Sequence, residues 1–306
     1  MTDFLVTGAS GLLGANFALQ AIALGHHVTG VVNTQKLPRA PFAVLQADFS
    51  RRGEGKRILE EVRPQVVIHC AAMANIDACE SMPQLAERVN AELPGELAEE
   101  CARMGIGMVH ISTDAVFDGT ADGAYEETSA PNPLSVYART KLRAETFVLQ
   151  ANPAALVARV NFYGWSIGGN RSLGEFFFNH LSAGNTVRGF TDVFFCTLLV
   201  NDLVDILMKM VAEELKGLYH VVSPHCLSKY DFGCLVARQF GLDERLIEPV
   251  SWREAGLKAA RSPNLRLSVR KLMRDLEVSL PDQEDGMRRF YQLYCEDYPR
   301  RLREML

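Results

Sequence analysis

Tyr137 and Lys141 lie four residues apart, a spacing that puts a phenol and an ammonium one turn apart on the same face of a helix. Their chemical use is proton transfer. The ammonium would favour the ionised phenol and draw its pKa toward neutrality, and it would also hold a nicotinamide ribose. The phenol would give a proton to a substrate oxygen as hydride reaches the adjoining carbon. Upstream, His110-Ile-Ser-Thr113-Asp ends an apolar run with a hydroxyl, and Thr113 would bond that same oxygen and orient it. Tyr-x-x-x-Lys alone is a common surface pair. It gains weight here from the strand-end hydroxyl and from a glycine motif at the N-terminus.

That motif is Gly8-Ala9-Ser10-Gly11-Leu12-Leu13-Gly14, entered from the apolar run Asp3–Thr7 and followed by an apolar helix over 12–24. Strand, glycine turn and helix together form the start of a dinucleotide site. Gly8 permits the tight turn, Gly11 lets backbone approach a pyrophosphate, and Gly14 lets helix pack on strand. The N–H groups from Ser10 through Leu13 open the helix toward the phosphates. An acidic residue ending the second strand would bond the adenosine ribose hydroxyls and repel an extra phosphate. Val31-Val32-Asn33-Thr34 has none, and Lys36 and Arg39 follow. NADPH is therefore the expected cofactor, with NADH as the alternative and a solvated loop as the plain reading of the basic pair.

These residues need a scaffold that brings them to one edge. Apolar strands are expected at 3–7, 28–32, 44–46, 66–69, 108–112 and 155–160, with helices at 84–104 and 135–150 between them. Continuous apolar strands alternating with helices predict an α/β fold, a Rossmann-type doubly wound parallel sheet covered on both faces. After Gly164 the rhythm breaks. The stretch 165–197, rich in Gly, Asn and Phe, is expected to build a pocket wall, and a helix at 201–212 and a strand at 218–222 return to the sheet. The expected division is interleaved: 1–164 with about 198–225 for the dinucleotide, and about 165–197 with 226–306 as a smaller α/β substrate domain.

With its Gly8-x-x-Gly11-x-x-Gly14 spacing the chain resembles extended short-chain dehydrogenases/reductases, and within them the dTDP-4-dehydrorhamnose reductase family, over nearly its whole length and most densely from residue 66 to 145. The likeness rests on His69-Cys-Ala-Ala-Met-Ala-Asn-Ile-Asp77, Val89-Asn-Ala-Glu92, His110-Ile-Ser-Thr-Asp-Ala-Val-Phe-Asp-Gly119, Tyr125-Glu-Glu-Thr128 and Ala130-Pro-Asn-Pro-Leu-Ser-Val-Tyr137. It extends more thinly to Arg261-Ser-Pro-Asn-Leu-Arg-Leu-Ser268. The resemblance implies reduction of the 4-keto group of a nucleotide-linked 6-deoxy sugar. It also implies that Asp48 and Phe49 lie beside the adenine, that Cys70, Ala71 and Ala72 lie under the cofactor, and that Asn90 braces the site. Sugar-nucleotide dehydratases of the superfamily carry Thr-Asp-Glu after the fifth strand. Here Ala115 takes the third place, so the elimination base is missing. Asn161-Phe-Tyr-Gly164 departs from the reductases' Ser-Trp-Val-Tyr-Gly and is closer to epimerases, which leaves a sugar-nucleotide epimerase as an alternative. Another is a dinucleotide-binding regulatory protein, since the regulatory subunit of methionine adenosyltransferase resembles the same family.

Several further residues keep two readings. Asn161 would bond a sugar or phosphate, or cap a loop. Asn75 would reach the sugar, or cap the next helix. Arg261 or Arg266 would meet the diphosphate with planar donors, or form an exposed salt bridge. In many relatives the helices near 84–104 and 135–150 pair between subunits, so a homodimer is an expectation of the resemblance.

Composition narrows the class. With 48% hydrophobic and 23% charged residues the chain has a globular balance, and a net charge of -5 excludes a basic nucleic-acid-binding face. No apolar run is long enough to span a bilayer, and the first strand begins almost at Met1, so a cytoplasmic protein without a signal peptide is expected. Seven scattered cysteines, with no C-x-x-C among them, suit reduced thiols, and neither they nor His26-His27 suggest a metal.

Overall fold

In a computed structural model, which describes residues 1–254 and 262–306, the strand leading into the glycine motif sits near the middle of a seven-stranded sheet. The elements run β1 (Asp3–Thr7), α1 (Leu12–Ala23), β2 (His27–Val32), β3 (Ala43–Gln46), α2 (Glu54–Val62), β4 (Val66–His69) and α3 (Ile76–Ser81). A long helical stretch follows as α4 (Pro83–Glu87), a π-turn at Arg88–Glu92, and α5 (Leu93–Met104). Then come β5 (Gly107–Thr113), α6 (Val136–Ala151) and β6 (Leu156–Val160). Short strands β7 (Phe162–Tyr163), β8 (Val187–Phe190), β9 (Phe194–Phe195) and β10 (Leu198–Leu199) flank α7 (Leu173–Ser182). The chain then returns through α8 (Val200–Ala212) to β11 (Gly217–Val221).

The main sheet has the order β11-β6-β5-β4-β1-β2-β3, with parallel pairing at each step. It is covered on both faces because alternate residues of one strand point to opposite sides. Phe4 and Val6 of β1 join the core under α1 and α8, with Phe17, Leu203 and Leu207. Leu5, between them, joins the core under α2 and α5, with Leu59 and Leu97. The order of strands reverses between β1 and β4, and at such a switch point ligands of open sheets bind.

A second apolar cluster carries Tyr163, Trp165, Phe177, Phe232 and Phe290, and meets the main sheet at Val32 of β2 and Val44 of β3. It is built from both sides of β11: β8 pairs with Ile247–Val250, and β9 with Leu227–Ser228 and Asn264–Leu265.

Two helices go beyond the expectation. Glu54–Val62 is one; the other, α7, falls in the stretch expected only as a pocket wall. Its start is a capping box, in which the Ser172 hydroxyl accepts from Glu175 N while the Glu175 carboxylate accepts from Ser172 N. The expected helix over 84–104 is interrupted by the π-turn. Pro94 has no N–H to return to the carbonyl four residues earlier, and Leu93 N instead donates five residues back to Arg88.

The expectation of uniformly reduced thiols is corrected: Cys196 and Cys226 form a disulfide across thirty positions of sequence, and they meet because the strand pairing of β9 with Leu227–Ser228 brings their neighbours together. Cys70, Cys79, Cys101, Cys234 and Cys295 are free. Among the described residues no helix is long and apolar enough to cross a membrane.

Candidate active site

Gly8 closes β1 with φ +69°, a conformation that disfavours any side chain, and an added Cβ would come within 2.9 Å of the Ala71 backbone. Gly14 faces the Gly8 carbonyl across the turn, so a Cβ there would collide with it. The turn is tied by Gly11 N donating to Gly8 O at 2.8 Å, and Gly11 caps α1. Beside it, at the switch point, a cavity of about 450 Å3 opens on the carboxyl ends of β1, β2 and β4. Its wall includes Gly8, Ser10, Gly11, Asn33, Asp48, Phe49, Cys70, Ala71 and Ala72, which the sequence assigned to the cofactor. The Asp48 carboxylate accepts from the Ser50 amide (3.1 Å) and hydroxyl (2.6 Å), and these bonds hold its pKa below the usual value.

Other assigned residues stand elsewhere. Leu13 is buried in the core under α1 and Leu12 packs against that core, so what these two would offer the cavity is backbone N–H and not side chain. Asn90 is fully buried and works as a brace. Its carboxamide oxygen accepts from Met73 N (2.8 Å), and its nitrogen donates to Met73 O (3.0 Å) and to Thr140 Oγ1 (3.2 Å). It thereby joins the loop after β4 to α6 and does not face the cavity. The π-turn aims it inward. Lys36 and Arg39, on which the expected phosphate preference leaned, are exposed and do not line the cavity. Arg171 does, together with Val32, Met73, Leu85 and Val89. Leu85 and Val89 share one helical face, but nothing local along the chain joins them to Val32, Met73 or Arg171.

The catalytic candidates converge at the ends of β5 and α6. Ser135 caps α6 by accepting from Ala138 N (3.2 Å), which places Tyr137 in the first turn and Lys141 one turn further. Thr113 is the last residue of β5 and is 7% exposed. Its hydroxyl accepts from Ala115 N (3.1 Å), donates to Asp114 Oδ1 (3.2 Å), and reaches the Tyr137 phenol, where it favours the ionised form. Asn161, half-buried after β6, donates to Asp114 Oδ2 at 2.6 Å. Burial raises the Asp114 pKa to about 6 against the pull of these bonds.

The Tyr137 pKa is not drawn toward neutrality as expected. Burial pushes the phenol up to about 12, and the Asp114 carboxylate adds to the rise. Lys141 Nζ lies 3.2 Å from His110 Nε2, which burial keeps neutral and so able to accept, while burial lowers Lys141 itself to about 8. Its charge also reaches the Cys70 thiol, on the cavity wall. The phenol thus keeps its proton at neutral pH, as an acid must when it delivers one.

Of the substrate candidates, Asn75 is an exposed helix cap, its oxygen accepting from Ala78 N at 2.8 Å. Arg261 lies outside the described residues, and Arg266 stacks its guanidinium 4.3 Å from the Phe194 ring centroid. Among the described residues no cluster of three or more His, Cys, Asp or Glu side chains is placed to hold a metal ion.

The family model described as the RmlD substrate binding domain matches residues 1–295. A probable low-salt glycan biosynthesis reductase of Haloferax volcanii is 34% identical over 285 residues, covering 92% of this chain and 95% of that protein. Methionine adenosyltransferase 2 subunit beta of Xenopus tropicalis is 31% identical over 276 residues, covering 88% of this chain and 80% of its own. The crystal structure of a dTDP-4-dehydrorhamnose reductase from Clostridium acetobutylicum has a TM-score of 0.81 at 25% identity, over 95% of this chain and 99% of that one.

Proposed function

Because the chain belongs to the RmlD substrate binding domain family, we propose that it is an NAD(P)H-dependent reductase of the 4-keto group of a nucleotide-linked 6-deoxy sugar. The observation that carries this reading is the contact of Thr113 with a protonated Tyr137 at the ends of β5 and α6, with Lys141 one turn on and its charge reaching Cys70 of the glycine-turn cavity wall. The cavity fits a dinucleotide: its floor is glycine and alanine backbone, and its mouth lies at the switch point. The cofactor, when bound there, supplies the hydride.

The remaining work falls to side chains. Tyr137 donates its proton to the carbonyl oxygen, and Thr113 orients that oxygen. Thr113 is itself held by Ala115 N, and its one hydroxyl proton turns from Asp114 to the carbonyl oxygen when substrate binds. Lys141, held by His110, directs its charge to the cavity wall at Cys70, where it would hold the ribose of the nicotinamide. Asn161 and Asp114 form the sugar-facing pair, and the interleaved segments 165–197 and 226–306 provide the substrate unit. The protein works as a homodimer through the outer faces of α5 and α6, and its proposed cytoplasmic location rests on the biosynthetic reading of the site and not on its cysteines, two of which are paired.

The test is turnover. Purified protein with NADPH and a dTDP-4-keto-6-deoxy sugar is expected to consume one NADPH per alcohol formed. Isomerisation without net NADPH loss would replace this reading with an epimerase. The similarity to methionine adenosyltransferase 2 subunit beta favours a second reading, a dinucleotide-binding regulatory subunit. It gains if no keto sugar consumes cofactor and a catalytic subunit co-elutes.

A further inference from the structure

Arg171 stands in the second unit of the chain, just before α7, yet lines the dinucleotide cavity. Its backbone is fixed: Arg171 N donates to Glu175 Oε2 at 2.8 Å, and the Glu175 side chain is fully buried, also accepting from Ser166 and Ser172. From that anchor its guanidinium crosses to the loop after β2, where Nη2 donates to Gln35 Oε1 at 3.2 Å. Among the described residues it forms no ion pair with a carboxylate, unlike its neighbours around the cavity, where Arg51 pairs with Asp48 and Arg88 with Glu96. A cation with a neutral partner and an open cavity in front of it is suited to an anionic group.

Which anion is decided by place. The end of β2 is where adenosine ribose hydroxyls lie in this fold, and Asn33 there carries no charge to repel a phosphate. The pyrophosphate belongs across the cavity, at the Gly8–Gly11 turn and the start of α1. Asp48, the carboxylate on this wall, is already satisfied by Ser50 and Arg51. We propose that Arg171 is the specificity residue for the 2′-phosphate of NADP(H), exchanging its bond to Gln35 for that phosphate. A planar guanidinium can meet two phosphate oxygens at once, which an ammonium cannot. The substrate unit thereby takes part in cofactor choice.

This inference rests on the dinucleotide reading of the cavity, and calorimetry with two fragments keeps the two apart. ADP probes the cavity and 2′,5′-ADP adds the phosphate in question. The wild-type protein is expected to bind 2′,5′-ADP at least tenfold more tightly than ADP. Arg171→Gln is expected to weaken 2′,5′-ADP at least tenfold and to leave ADP within twofold, and Arg171→Lys to fall between. If Arg171→Gln weakens both fragments equally, or neither, the assignment to the 2′-phosphate is overturned while the cavity reading stands. If the wild-type protein binds neither fragment, both are overturned.

Discussion

Tyr137 is held as a neutral acid by burial, with Thr113 as its polar neighbour and Lys141 turned to His110. Removing its hydroxyl leaves the ring, the helix cap and the cavity wall in place. Tyr137→Phe is therefore expected to lower kcat by about 10²- to 10⁴-fold, the usual worth of a positioned acid, with NADPH affinity by fluorescence titration unchanged. Asp114 gives a pH signature. Its folded pKa of about 6 lies above the 3.8 of the free group, so the folded state binds the extra proton between those values. Its contribution to stability is therefore greatest below about pH 4 and is lost as pH rises through 6. Relative to Asp114→Asn, the wild-type protein is expected to lose on the order of 2–3 kcal/mol across that window in urea unfolding. A constant difference between the two proteins from pH 4 to 7 would contradict the assignment.

The elements carrying these groups are locked by a buried charge pair. Glu145, one turn beyond Lys141 on α6, meets Arg159 of β6 at 2.7 Å, and it also accepts from the Ser112 hydroxyl of β5. Arg159 stacks 4.9 Å from the Phe117 ring centroid, so α6, β5 and β6 share one polar knot beneath the site. Replacing Arg159 with Met strands the Glu145 carboxylate in the core and is expected to cost about 3–5 kcal/mol in denaturant unfolding. Chain pattern made the strands and the helix α6 legible, because buried parallel strands are continuous apolar runs. The helix α2 was not, since its polar sequence buries only Gly55, Ile58 and Leu59. For α7 the Ser172-Leu-Gly-Glu175 capping box was a signal in plain view, obscured by the glycines and asparagines around it.

The whole molecule couples a doubly wound sheet to a second aromatic core, with Trp165 stacked on Phe290 at 4.1 Å between ring centroids. If the proposed homodimer forms through the outer sides of α5 and α6, light scattering is expected to give twice the mass of one chain. A mass of one chain at micromolar concentration would remove the dimer. Sequence alone was enough for the alternating strands and helices of the parallel sheet and for the glycine turn, because each element is written in the pattern of one local segment. Tertiary structure alone assigned Arg171 to the cavity and Lys141 to His110, and it chose the helix cap between the two readings of Asn75. Those outcomes depend on which distant residues become neighbours and on how much water burial removes, and neither quantity is written in local order along the chain.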